Sequence, residues 1–120
     1  MAFKEILRQV VESVDGAIGA IVIGYDGIPI DEYVLEDVTL DLHLLAVEYS
    51  SILRDIKKTL EVLGSGDMEE VSINTGTTRV IMRPVTDEFF VALALEAEGN
   101  FGKGRFVLKR DAGKLREALA

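Results

Sequence analysis

The chain has 120 residues, 48% of them apolar and 28% charged, with a formal net charge of -8, which suits one hydrophobic core and sets wholesale disorder aside. No apolar run approaches the roughly 18 residues of a membrane span. The start, Met1-Ala2-Phe3-Lys4-Glu5, lacks the basic-then-apolar order of a signal peptide. With no cysteine there is neither a disulfide framework nor a thiolate metal site, which fits a cytoplasmic protein, and an acidic chain repels nucleic-acid phosphates.

In chain order, Phe3, Ile6, Leu7, Val10, Val11 and Val14 recur at three- and four-residue steps and predict an amphipathic helix over about 2–14, stopped by Asp15-Gly16. Ala17 to Gly24 and Ile28 to Leu35 read as strands joined by the tight-turn signal Asp26-Gly27. The small residues Ala17, Gly19 and Ala20 predict a helix crossing closely over the first strand, and Pro29 places the second at a sheet edge. A long helix of about 24 residues follows, capped by Thr39 or Asp41 and ended by Gly64-Ser65-Gly66. Its single apolar face is predicted to run through Leu42, Leu45, Tyr49, Ile52, Leu53, Ile56, Leu60 and Leu63.

Three further strands are expected: one through Met68, Val71 and Ile73, a second over Thr78 to Arg83, and a third over Phe89 to Leu95. The last is so continuously apolar that it belongs at the centre of the sheet, covered on both faces. Asn100 caps a final helix with Phe101, Arg105, Leu108, Ala112, Leu115 and Leu119 on its core side. The order αββαβββα, with no linker or repeat, predicts one α+β domain over residues 1–120.

Charge is unevenly spread. Residues 103–120 hold Lys103, Arg105, Lys109, Arg110, Lys114 and Arg116 against two carboxylates, whereas residues 1–102 hold 7 Lys or Arg against 19 Asp or Glu. A solvated helix whose cations suit its own dipole accounts for the cluster; an acidic or phospholipid partner is the sharper reading.

Catalytic constellations are missing. His43 is the only histidine and has no cysteine to pair with it. Ser13, Ser50 and Ser51 lack a nucleophile-elbow context. The pairs Asp31-Glu32, Glu36-Asp37 and Glu69-Glu70 lack calcium-loop spacing and read as solvated surface. Gly99-Asn100-Phe101-Gly102-Lys103-Gly104 superficially suggests a phosphate loop, but Ala97 and Gly104 stand where a Walker A loop needs Gly and Ser/Thr. It is better read as a glycine-rich turn that lets the last helix pack tightly. No cofactor or metal is expected.

The element order, the lead-in Val14-Asp15-Gly16-Ala17-Ile18-Gly19-Ala20, the Asp26-Gly27 hairpin and the Gly99-Asn100-x-Gly102-x-x-Arg105 start of the last helix together resemble the roadblock / dynein light chain family, over almost the whole chain and in its stand-alone bacterial or archaeal, MglB-like form. The resemblance implies a five-stranded antiparallel sheet in order 2-1-5-4-3, with the long helix on one face and the terminal helices on the other. It also implies a homodimer in which the third strand, Met68, Glu69, Glu70, Val71, Ser72, Ile73 and Asn74, pairs with its mate while the long helices lie side by side. Family members regulate or scaffold small Ras-like GTPases, so a non-enzymatic GTPase regulator is implied, with a passive scaffold in a signalling or motor complex as the alternative. The GTPase would dock across the paired long helices, whose outward side is expected to carry His43, Val47, Ser50, Arg54, Lys57 and Lys58. Arg54 lies on a helix, not a loop, which argues against an arginine finger.

Overall fold

The computed structural model describes residues 2–120. Helix α1 (Phe3–Glu12) leads into β1 (Ala17–Gly24) and β2 (Pro29–Val34); α2 (Leu42–Leu63) crosses to β3 (Val71–Asn74), β4 (Thr78–Pro84) and β5 (Phe89–Glu96), and α3 (Phe101–Leu119) closes the order. The strands form one antiparallel sheet, β2-β1-β5-β4-β3, so the expected fold class and strand order are found.

Side chains alternate between the two faces of a strand, and both faces are covered here. Ala20, Val22, Ile81, Val91 and Leu93 pack with α1 and α3. Ile21, Ile23, Val80, Met82, Phe90, Ala92 and Ala94 pack with α2. Cross-strand neighbours share a face: Leu93 lies opposite Ala20 on one side and Ile81 on the other. This two-sided burial is why β1 and β5 read as unbroken apolar runs.

Local signals set the element ends. The Asp41 carboxylate accepts from Leu44 N at 3.0 Å and caps α2. Gly64 ends that helix in the left-handed conformation at φ 63°. Pro29 begins the edge strand, facing Ile23 across a register shift, a position where its missing N–H costs no ladder bond. Gly104 meets the sheet directly: a Cβ there would stand 3.0 Å from Ile81 Cδ1 and 3.3 Å from Leu93 Cδ2. The glycine-rich turn therefore brings α3 onto the central strands as expected. Among the described residues no helix is long and apolar enough to cross a membrane.

Several boundaries and faces differ from the sequence reading. α1 stops at Glu12, though Val14 remains buried, and β2 omits Ile28 and Leu35, which are exposed. The strand expected from Met68 spans only Val71–Asn74. Glu70 turns instead toward the basic side chains, 2.9 Å from Arg105 Nε and 4.0 Å from Arg83 Nη1. That ion pair also corrects the core side of α3. Arg105 is exposed and occupied by Glu70, and the buried side runs through Gly104, Val107, Leu108, Asp111, Ala112 and Leu115.

Asp111 is 2% exposed, with Arg110 Nε at 3.0 Å and Lys114 Nζ at 3.6 Å. Burial alone raises its pKa, but the two cations outweigh burial and hold the carboxyl below the usual carboxylate range. A carboxyl depressed in the folded state contributes stability above its unfolded pKa and loses it as pH falls through the folded value. Asp111→Asn is expected to be less stable than the parent at neutral pH and to flatten the acid limb below about pH 4. Urea titrations across the acid range check this; parallel limbs in both proteins would refute it.

Candidate docking surface on the long helix

Helix α2 has three working sides because its 22 residues carry more apolar groups than one face of the sheet can cover. Leu42, Ala46, Ser50 and Leu53 face the sheet and are buried. Ser50 is tolerated there because its hydroxyl donates to Val47 O at 2.6 Å, which satisfies the one polar group brought into the core.

One flank holds the β1–β2 hairpin. Arg54 Nη1 donates to Tyr25 O. Lys57 Nζ donates to Asp87 O at 3.2 Å and lies 3.9 Å from the centroid of the Tyr25 ring, a cation–π contact. Val47 and Ser50 close on Gly27 at the hairpin tip. This placement corrects the expectation that His43, Val47, Ser50, Arg54, Lys57 and Lys58 share one outward side. Ser50 is buried, Val47 and Lys57 are half-buried, and only His43, Arg54 and Lys58 are exposed, Arg54 with its guanidinium tethered to the hairpin. Two residues three or four apart share a face, but whether that face looks at solvent or at a neighbouring hairpin is decided by where the helix crosses the sheet.

The opposite flank is apolar and open. Leu45, Ile52, Ile56 and Leu63 fall within about 40° of one another on a helix that turns 100° per residue. Leu45 and Ile56 are half-buried against the α2-side core, while Ile52 is 43% and Leu63 68% exposed. Leu44 and Val62, at the outer rim, are 56% and 87% exposed. Half-buried Met68, Val71 and Ile73 belong to the same core cluster, so the flank runs on to β3, the edge strand whose outer side has no partner strand among the described residues. The residues expected at the dimer strand are thus split: Val71, Ser72, Ile73 and Asn74 lie in the edge strand, whereas Met68, Glu69 and Glu70 precede it. Sequence reading assigned Ile52 and Leu63 to the buried face and passed over Leu44 and Val62. The signal available was their surplus, twelve apolar residues in a 22-residue helix.

Among the described residues no group of three or more His, Cys, Asp or Glu is placed to hold a metal ion. The surface combines an apolar flank beside the edge strand β3 with an exposed rim carrying His43 and Lys58.

The Roadblock/LC7 domain family model matches residues 3–95. Among solved structures, MglC from Myxococcus xanthus is 41% identical to this chain, covering 98% of each, with a TM-score of 0.72. A Roadblock/LC7 domain from Streptomyces avermitilis is 14% identical with a TM-score of 0.85, covering 99% of this chain and 98% of that one. The gliding protein MglB from Thermus thermophilus is 16% identical with a TM-score of 0.84, covering 95% and 85%. At those identities the last two are likenesses of fold alone. No protein with a curated description matches.

Proposed function

Since this chain belongs to the Roadblock/LC7 domain family, we propose that it is a non-catalytic, cytoplasmic homodimer that regulates a small Ras-like GTPase, by activating hydrolysis or by reading the nucleotide state. The observation that carries the reading is the open apolar flank of α2 running on to the unpaired edge of β3. A monomer would leave that flank in water, and a flat strand edge invites pairing. Two copies related by a two-fold axis cover both at once, each flank meeting its own counterpart. The GTPase then docks across the paired helices, with His43 and Lys58 on the exposed rim.

The dimer has a direct check. Ile52→Glu places a carboxylate at the middle of the flank and is expected to run as a monomer in sedimentation, where the parent runs as a dimer. Ile52 is exposed in the isolated chain, so the fold survives the change, and an unchanged dimer would exclude this flank as the seam.

The regulatory function is tested by immobilising the protein and offering lysate of its source organism with a non-hydrolysable GTP analogue or with GDP. A Ras-like GTPase retained with the analogue and released with GDP supports the reading and supplies the substrate for a turnover assay. Retention of other proteins equally in both nucleotides would replace the regulator with a passive scaffold. His43→Glu combined with Lys58→Glu is expected to weaken GTPase capture about tenfold or more and to leave the dimer intact. Arg54 is kept in that variant because its guanidinium also holds the Tyr25 carbonyl.

A further inference from the structure

The basic cluster of α3 has a destination that its sequence does not show. Lys109, Arg110 and Arg116 line a cavity of about 710 Å³ together with Lys57 of α2 and Arg83 of β4. Its size falls in the range of small-molecule sites, roughly 300–1,000 Å³. In a chain of net charge -8, five cations meet around this one cavity, two of them already ion-paired: Arg110 with Asp111 and Arg83 with Glu70.

The inner wall is rich in donors. Arg116 Nε donates to Val85 O at 3.0 Å, and Lys57 Nζ to Asp87 O. These bonds fix both side chains and use one donor of each, and an arginine has five N–H groups and a lysine three. Arg83 has a side chain 19% exposed. Tyr25 also lines the cavity, 7% exposed, its ring against Phe90 at 5.2 Å between centroids and covered by Lys57. Its hydroxyl is buried and has no hydrogen-bond partner among the described residues. Burial, with Asp87 nearby, pushes the phenol up to about 12.

Four carboxylates share the lining: Glu61, Asp67, Glu69 and Asp87 are exposed and take part in no ion pair among the described residues. They disfavour a polyphosphate or an anionic membrane surface and suit a ligand that also offers hydroxyl or ammonium groups.

We propose that this cavity binds a small molecule with one oxyanion head and a hydroxylated or amine-bearing body, the head held by Lys57, Arg83 and Arg116. The cavity adjoins the flank proposed as the dimer seam, since Met68 belongs to both, and its test needs no GTPase.

The test is a titration of the isotope-labelled protein, followed by NMR at constant ionic strength. O-phosphoethanolamine (a phosphate with an amine), β-alanine (a carboxylate with an amine), inorganic phosphate and tripolyphosphate are added separately. Saturable shifts confined to Lys57, Val85 to Asp87 and Arg110 to Arg116 are expected with an amine-bearing probe, which binds more tightly than inorganic phosphate. Tripolyphosphate is expected to bind least. Whether O-phosphoethanolamine or β-alanine is preferred identifies the head as phosphate or carboxylate. Arg116→Gln is expected to weaken binding about tenfold. Tyr25→Phe is expected to leave binding unchanged while the melting temperature holds or rises, because an unpaired buried hydroxyl has been removed. Absence of saturation at millimolar probe overturns the proposal. So do shifts spread over surface lysines with equal affinity in the parent and Arg116→Gln, which would mean an adventitious ion only.

Discussion

Gly16→Ala is expected to destabilise the protein by about 3 kcal/mol or more, a large fraction of the 5–15 kcal/mol that usually separates folded from unfolded domains. Two causes add. Gly16 sits at φ 83°, a left-handed conformation that costs a residue with a Cβ roughly 1–2 kcal/mol. The new Cβ would also fall inside contact distance of the Gly99 Cα, a backbone atom that cannot swing away. The junction is tied from both sides, since Glu96 N donates to Gly16 O and Asn100 N to Asp15 O, each at 2.8 Å. Moving Gly16 therefore disturbs the end of β5 and the start of α3, where the Asn100 side chain caps the helix by accepting from Lys103 N at 3.1 Å. Gly113→Ala is the control. It lies within α3 with open space around its Cβ direction, and alanine there is expected to stabilise by about 0.5–1 kcal/mol. Urea unfolding of both variants at one protein concentration gives the comparison. A loss below about 1 kcal/mol for Gly16→Ala would mean that the two glycine turns are not locked together.

Leu93→Ala is expected to cost about 2–5 kcal/mol. Leu93 is fully buried in β5, the central strand, between Ala20 of β1 and Ile81 of β4, and its Cδ2 lies close under Gly104 of α3. Strands on both sides and a helix above leave the site little freedom to collapse around the missing atoms, which favours the upper part of that range. The same urea measurement at matched concentration checks it, since dimerisation would make apparent stability depend on concentration. A cost below about 1 kcal/mol would mean that β5 is not enclosed as described.

These two residues belong to motifs visible in the sequence alone. The glycine turns around Gly16 and Gly99 stand out in the sequence as separate punctuation, and the fold makes them one contact. The apolar run of β5 predicts a central strand by itself, because only a strand covered on both faces dispenses with polar alternation. The caps Asp41, Gly64 and Asn100 were equally legible, for each acts on backbone groups within three or four residues of itself. β3 was less so. Three of its seven expected residues fall outside the strand, since Glu70 answers to Arg105, 35 residues away, and not to its neighbours.

The docking surface divides along the same line. By itself the sequence determined the elements, their order, the central strand and the family pattern, because those follow from short-range periodicity, turn chemistry and spacing. Tertiary structure alone decided which flank of α2 is free. Leu45, Ile52, Ile56 and Leu63 are as apolar as the buried Leu42 and Leu53, and Arg54 and Lys57 are as charged as Lys58. What separates them is the line along which the helix crosses β1, which turns one flank onto the Tyr25 hairpin and leaves the other in solvent. The convergence of Lys57 and Arg83 with the cations of α3 around one cavity has the same origin. It joins residues from three elements, and no local pattern encodes a distance between elements that meet only when the sheet is formed.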